Sequence, residues 1–477
     1  MRHRRRLSAV AIAGALLAVA AMTGPASAAP AGTARPAHLG SGQACGGTGT
    51  TSTVTGALSD GATYELQCPA GRWNGTLFLF SHGYVVPGGA NPAADASDPV
   101  TAGWLLANGY ALAGSSYAST GWSVQQAIPD QAATVAAFGR AYQAPRRTVA
   151  WGESLGGMIT AGLIQEYPRL FSAALPACGV LSGGVATWNT ALDAAFAFQQ
   201  LVDPDVQVTG ITSPAANLTA AETALAAAQQ TPQGRARMAL VSAMSDTPGW
   251  FTPGSPEPAA TDYTAQEDNQ FQWASQVTFP FVFDFRAELE ARAGGNPSWT
   301  TGVNFAAELA SSTDLREVEA LYQAAGLSLN ADLRTLSQAP RISANPKSVR
   351  YLADNVAYTG RISVPVLTIH TTGDGLVVPE NEQAYRQAVD RAGDGSLLRQ
   401  LFVSRAGHCA FTPAEMITAI KVLVDRMSSG RWHVPPVAQL NAAAAALGTA
   451  ANTLPPQYTT YQPAPYLRPF DLAGWRW

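Results

Sequence analysis

Arg147-Thr148-Val149-Ala150-Trp151-Gly152-Glu153-Ser154-Leu155-Gly156-Gly157-Met158 is the stretch on which the reading of this chain turns. Residues 147–151 read as a short strand buried on both faces, and 158–167 have helical spacing. Between them lies the pattern Gly-x-Ser-x-Gly. A serine on so sharp a strand-to-helix turn is pushed into a strained, exposed position, and the flanking glycines let the turn close. That geometry suits a nucleophile, and Ser154 is the candidate. The five-residue pattern alone is weak; the strand before it and the helix after it carry the weight.

The surroundings repeat the same strand-and-helix rhythm. Residues 76–80 (Thr-Leu-Phe-Leu-Phe) form a continuous apolar run, as a strand buried on both faces requires, and lead into Ser81-His82-Gly83-Tyr84. A helix is expected over 101–107, a strand over 110–117, a helix over 131–142 and a strand over 172–176, just before Cys178. Strands alternating with helices at this spacing imply βαβ units and a parallel sheet. The alternation then stops. Residues 181–359 carry mostly helical patterns, such as 215–229 and 304–327, with frequent aromatics that include Phe279, Phe281, Phe283 and Phe285. It resumes with a strand over 364–370, a helix over 380–390, a strand over 398–404 and a helix over 413–427.

An insertion on the order of 180 residues is far longer than a loop. It is expected to be a helical cap, with most of its aromatics in a core of its own and a few lining an apolar acyl or aryl pocket. The expected division is a signal peptide over 1–28, a first core part over 29–180, the cap over 181–359, a second core part over 360–430 and a tail over 431–477.

A serine hydroxyl is a poor nucleophile. It needs a base, and the base needs an orienting partner. Of six histidines, His3 lies in the leader, His38 in a loose Ala/Gly/Pro-rich stretch, His370 inside a strand and His433 in the tail. His82 reads as a brace for its own loop. His408, in Arg405-Ala406-Gly407-His408-Cys409, falls between the last strand and the last helix, where a loop histidine can reach the elbow. The acid is expected at Asp374, in the Gly373-Asp374-Gly375 turn that ends a strand; Asp354 and Asp394 end no clear parallel strand. An oxyanion needs backbone donors. Leu155 N–H, at a helix start, is one; Tyr84 N–H is the other, with Gly83 allowing close approach. Glu153 reads as packed beside the nucleophile rather than taking part.

Composition narrows the class. With 477 residues, 47% hydrophobic and 13% charged, the chain can build a large core, which excludes disorder. A net charge of −4, with no basic stripe after the expected leader, argues against nucleic acid as a partner. Arg2, Arg4, Arg5 and Arg6, an apolar run over 7–21 and Ala26-Ser27-Ala28 read as an export signal cleaved near Ala28. No later stretch is long and apolar enough to span a membrane, so a secreted product is expected. Four cysteines in an exported chain imply two disulfides. Three pairings are possible, of which Cys45–Cys68 with Cys178–Cys409 is the simplest. Cys409 thus reads as half a disulfide rather than a catalytic thiol. No Cys/His spacing suits a metal.

The His-Gly turn at 82–83, Gly-Glu-Ser-Leu-Gly-Gly at 152–157, Gly-Asp at 373–374 and Gly-His at 407–408 together resemble the α/β-hydrolase superfamily over residues 74–178 and 362–428. The resemblance implies an α/β fold with a mostly parallel eight-stranded sheet, helices on both faces, and no cofactor. The His408-Cys409 pair also resembles the tannase/feruloyl esterase group, which places a cysteine before its nucleophile where this chain has Glu153. The expectation is a secreted serine hydrolase that cleaves small-molecule or polymer carboxylic esters through Ser154, His408 and Asp374. An exopeptidase with the same triad and an inactive hydrolase fold used for binding are the alternatives, since fold alone does not give function.

Overall fold

Two antiparallel strands, β1 (Ser52–Ala57) and β2 (Thr63–Cys68), come first in a computed structural model that describes residues 44–471. The expected signal over 1–28 lies outside the described residues. Then follow β3 (Thr76–Ser81), α1 (Pro99–Ala107), β4 (Ala111–Ser115), α2 (Val124–Ala141), β5 (Arg147–Glu153), α3 (Leu155–Glu166) and β6 (Ala173–Ala177). Nine α-helices among the described residues, from α4 (Gly184–Leu201) to α12 (Pro346–Asp354), separate β6 from the next strand. The chain then forms β7 (Val366–Gly373), α13 (Glu380–Ala392), β8 (Leu398–Ala406), α14 (Pro413–Ser429), α15 (Val437–Ala445) and β9 (Tyr458–Thr459).

The strands lie in the order β1-β2-β4-β3-β5-β6-β7-β8-β9. Neighbours from β4 to β8 are parallel; β1, β2 and β9 pair antiparallel. This is the α/β-hydrolase fold with nine strands rather than eight. The ninth is a two-residue strand from the tail, where Tyr458 and Thr459 pair with Val403 and Phe402.

Period-two burial explains the layers. Leu77 and Leu79 of β3 pack with Ile159 and Leu163 of α3 on one face, while Phe78 and Phe80 join Trp151, Ile420 and Leu423 on the other. Burying each such side chain stabilises the fold by about 1.5–3 kcal/mol. Phe196, Phe198, Leu240, Phe305, Tyr322 and Leu336 form a third core lying wholly between β6 and β7. The helix expected over 304–327 is broken into Phe305–Ser311 and Leu315–Ala325. Asp246 supplies the reason: its carboxylate accepts from Ser312 Oγ at 2.7 Å and from Thr313 N–H at 3.1 Å, which competes with the helical pattern.

One buried ion pair ties the tail to the sheet. Arg405 of β8 donates to Glu415 through two nitrogens, at 2.6 and 3.0 Å, and to the carbonyls of Ala410 and Pro455. Glu415 closes a capping box with Thr412 at the start of α14 and accepts from Gln457 N–H. Both side chains are fully buried. Arg405→Met leaves Glu415 as an unpaired buried charge, so chemical denaturation should show a loss of about 3–5 kcal/mol. Arg405→Met/Glu415→Gln should recover part of it.

Candidate active site

Ser154 stands between β5 and α3 at φ 59°, ψ −123°. Strain of this kind costs about 1–3 kcal/mol and persists only where the surroundings enforce it. Here Ser154 N–H donates to Ala177 O at the end of β6, at 3.1 Å. From the other side α3 presses against β3 so closely that a Cβ on Gly156 would lie 1.9 Å from Ser81 O. Leu155 is the first residue of α3, so its N–H has no intrahelical acceptor and sits at the positive end of the helix. Gly83 passes over the serine: a Cβ there would lie 3.5 Å from Ser154 Cβ. His82 braces that loop. Its ring stacks on Tyr117 with centroids 4.0 Å apart, and its two nitrogens face the carbonyls of Gly83 and Ser116 at 2.8 and 3.1 Å. Burial pushes its pKa down. Burial, aided by the charge of Asp98, raises the Glu153 carboxyl to about 7.

Asp374 leaves the end of β7 in a turn walled by two tryptophans. A Cβ on Gly373 would lie 2.9 Å from the Trp250 ring, and one on Gly375 2.5 Å from that of Trp273, so neither position admits a side chain. Oδ1 of Asp374 accepts from Leu376 N–H and Val377 N–H, both at 3.0 Å. Oδ2 accepts from His408 Nδ1 at 2.7 Å. Burial pushes this carboxyl up, but the charge of His408 and hydrogen bonds from His370 and His408 outweigh it and hold it at about 2. Asp354 pairs instead with Arg350 at the surface, and Asp394 accepts from Ile362 N–H.

The His408 loop is fastened to the same strand end. Thr371 Oγ1 donates to Gly407 O at 2.7 Å, and Gly407 N–H donates to Gly373 O at 3.1 Å. Disulfides join Cys45 to Cys68 and Cys178 to Cys409. The second links the residue after His408 to the residue after Ala177, on which Ser154 is hydrogen-bonded. Asp374 and His408 are therefore in direct contact, and Ser154 is joined to them through the disulfide. Among the described residues Ser154 Oγ has no hydrogen-bond partner; such contacts commonly tighten only with substrate bound. Four of the six non-glycine residues with positive φ among the described residues (Tyr117, Ser154, Cys178 and Cys409) belong to this constellation.

Ser154 opens onto a cavity of about 140 Å³ whose walls include Tyr84, Leu155, Trp188, Phe198, Phe281 and Phe283. Among the described residues that line it, none is Asp, Glu, Lys, Arg or His. The tail, unreadable in the sequence, contributes Tyr466 to this lining. The sequence reading also passed over His370 as strand interior. It is fully buried behind Asp374, with Nε2 3.5 Å from Asp374 Oδ2. Its signal was positional: four residues before the acid, on the face of β7 opposite Leu367 and Ile369.

A model of the prolyl oligopeptidase family matches residues 108–207. The chain is 28% identical to an o-phthalyl amidase from Xanthobacter agilis over 430 residues, which cover 83% of this chain and 92% of that protein. Feruloyl esterase B from Aspergillus oryzae aligns at 12% identity and a TM-score of 0.41, covering 81% of each chain. An acylaminoacyl peptidase from Pyrococcus horikoshii aligns at 10% identity and a TM-score of 0.40, covering 82% of this chain and 44% of that one.

The two disulfides should behave differently. In Cys178→Ala/Cys409→Ala, Ser154 reactivity towards a fluorophosphonate should fall ~10-fold or more at temperatures where circular dichroism shows the fold intact, because small misplacements of reacting groups are costly. Cys45→Ala/Cys68→Ala, at β2 and separated from β5 by β4 and β3, should lose stability without a comparable loss of reactivity.

Proposed function

We propose that this chain, a serine hydrolase of the α/β-hydrolase superfamily, cleaves carboxylic esters of uncharged, apolar acids through an acyl-enzyme. Ser154 Oγ attacks the acyl carbon while His408 takes its proton. Asp374 fixes the tautomer and orientation of His408. The Leu155 and Tyr84 amides hold the oxyanion, each such donor being worth on the order of 3 kcal/mol. His408 returns the proton to the leaving alcohol. Water, activated by the same histidine, then releases the acid.

One observation carries the substrate class: the described side chains that line the cavity shared by Ser154 and Leu155 are all uncharged. An ammonium group, as an aminopeptidase requires, would be desolvated there without a partner. Amides of aryl acids are the second reading, favoured by the similarity to o-phthalyl amidase over most of both chains. Residues 181–359, with their own core, serve as the cap that sets acyl preference. Export accords with the two disulfides and with the absence, among the described residues, of any helix long and apolar enough to cross a membrane.

A panel of p-nitrophenyl esters, aryl-acyl anilides and aminoacyl anilides tests this on the protein lacking residues 1–28. Neutral esters should give the highest kcat/KM, aryl-acyl anilides a lower one, and aminoacyl anilides none. Ser154→Ala and His408→Ala should each cost at least ~10³ in kcat, and the double variant should be hardly worse, because such residues act as one unit. Near-normal turnover by Ser154→Ala would sink the mechanism. Absence of fluorophosphonate labelling would favour the inactive binding fold.

Phe281→Ala and Phe283→Ala should raise KM for aryl esters on the order of 10-fold, as expected for lost apolar contacts in a substrate pocket. Labelling of Ser154 by a small fluorophosphonate should change far less. Unaltered acyl preference in both would remove the cap from the specificity argument.

A further inference from the structure

We propose that His370 is a positioning residue: an imidazolium locked between Glu382 and the Asp374 turn, which keeps Asp374 ionised and aimed at His408 and so sets how strongly the carboxylate holds that histidine. The second half of this proposal rests on the proposed function above; the first half does not.

The argument is one of donors and acceptors. His370 Nε2 lies 2.7 Å from Val377 O, and a carbonyl oxygen can only accept. The same nitrogen is 3.5 Å from Asp374 Oδ2. On the other side, Nδ1 lies 3.0 Å from Glu382 Oε1. Glu382 Oε2 already accepts from Thr368 Oγ1 and from Gln400 Nε2, so it is the anion that fits there. Gln400 is itself held by Arg386, whose Nε donates to Gln400 Oε1 at 2.7 Å. Either neutral tautomer of His370 would bury a nitrogen lone pair against an acceptor. Only the imidazolium donates on both sides.

The charged groups around this ring come from three elements. Asp374 follows β7, Glu382 and Glu380 lie on α13, and His408 follows β8, reaching His370 through Asp374. Burial, with the charge of Asp246 adding to it, pushes the Glu380 carboxyl up to about 8, so near neutral pH it contributes little negative charge. Burial alone would lower the His370 pKa. Its hydrogen bonds and charge interactions with Asp374 and Glu382 outweigh that and raise it to about 10. The result is a buried column Glu382⁻, His370⁺, Asp374⁻, His408.

Two consequences follow for the site. His370 bonds Val377 O, while Val377 N–H and Leu376 N–H bond Asp374 Oδ1. The ring thus clamps the very turn that aims the carboxylate at His408. It also puts a positive charge on the far side of Asp374. That charge offsets part of the carboxylate's pull on a proton at His408, so removing it should strengthen that pull.

The test uses His370→Gln/Glu382→Gln, which removes both charges together. His370→Gln is its companion; it leaves Glu382 unpaired and is the variant at risk of misfolding. The first readout is nitrogen NMR of histidine-labelled protein, which does not depend on activity. His370, assigned by its loss in the variants, should keep both ring protons at pH 8. The second readout is kcat/KM against pH on the best substrate of the panel. In the double variant the acid limb should move up by about one pH unit, a tenfold loss on that limb with a smaller loss on the alkaline plateau. A neutral His370 ring at pH 8 would overturn the lock whether or not the protein hydrolyses anything. A uniform fall in kcat/KM with an unmoved acid limb would reduce His370 to a structural residue. If the unmodified protein cleaves no substrate in the panel, the functional reading fails while the NMR result still decides the lock.

Discussion

The disulfide between Cys178 and Cys409 joins the two strand ends on which the candidate site is built, across 231 residues of sequence. In the chain-entropy view, closing so long a loop removes about 5 kcal/mol of freedom from the unfolded chain. Its local effect bears more directly on chemistry. Cys178 and Cys409 both hold positive φ, at 42° and 52°, conformations that need enforcement. Ser154 N–H hangs on the residue before the first, and His408 precedes the second. The crosslink thus makes one rigid piece of an elbow from the first half of the fold and a histidine loop from the second. A free thiol at position 409 could not do this, and the even cysteine count already argued against one.

What was legible in the sequence follows from burial. Strands β3 to β6 have both faces covered, so they read as apolar runs. Glycines at 152, 156, 373 and 375 marked the tight turns that backbone or ring contacts impose. Strands β1 and β2 escaped because β1 alternates half-buried and exposed positions and contains Gly56. A two-residue strand such as β9 has no period to detect, and the tail that carries it is held by Arg405 and Glu415, a pairing that no local pattern announces. His370 was hidden for a different reason. A polar residue amid Val366, Leu367 and Ile369 looks like filler until the partner on α13 is seen, and Glu382 is twelve residues away in sequence.

Neutral and charged surroundings are sorted to opposite sides of Ser154 and Asp374. In front of Ser154 the described residues that line the cavity are uncharged and mostly apolar, so each backbone dipole there acts in a medium of low polarity. Behind Asp374 the buried groups alternate in sign. Ionised side chains are costly to bury singly, but in alternation each is stabilised by the next, and the polar ends of Thr368 and Gln400 complete the far end. On the proposed reading, Asp374 and His408, placed at the boundary between these regions, would keep their own charge well defined without imposing charge on a substrate.

Residues 181–359 and the loop that overlies Ser154 are joined through one helical stretch. Phe279 and Phe283 pack against Phe198 at 5.0 and 5.4 Å, inside the core of residues 181–359. Phe281 and Phe285 turn the other way and flank the Tyr84 ring at 5.0 and 5.8 Å. Residues 274–278 and 281–285 are wound as π-helix, a wider turn that recurs at functional sites. The two phenylalanine faces therefore grip different parts of the molecule: one the insertion, the other the loop whose backbone overlies Ser154. A side chain that fills the cavity between Phe281, Phe283 and Trp188 presses on the same stretch that steadies Tyr84. On the reading proposed above, a bound acyl group would press on this stretch, so the contacts that would recognise it are continuous with those that steady the Tyr84 ring.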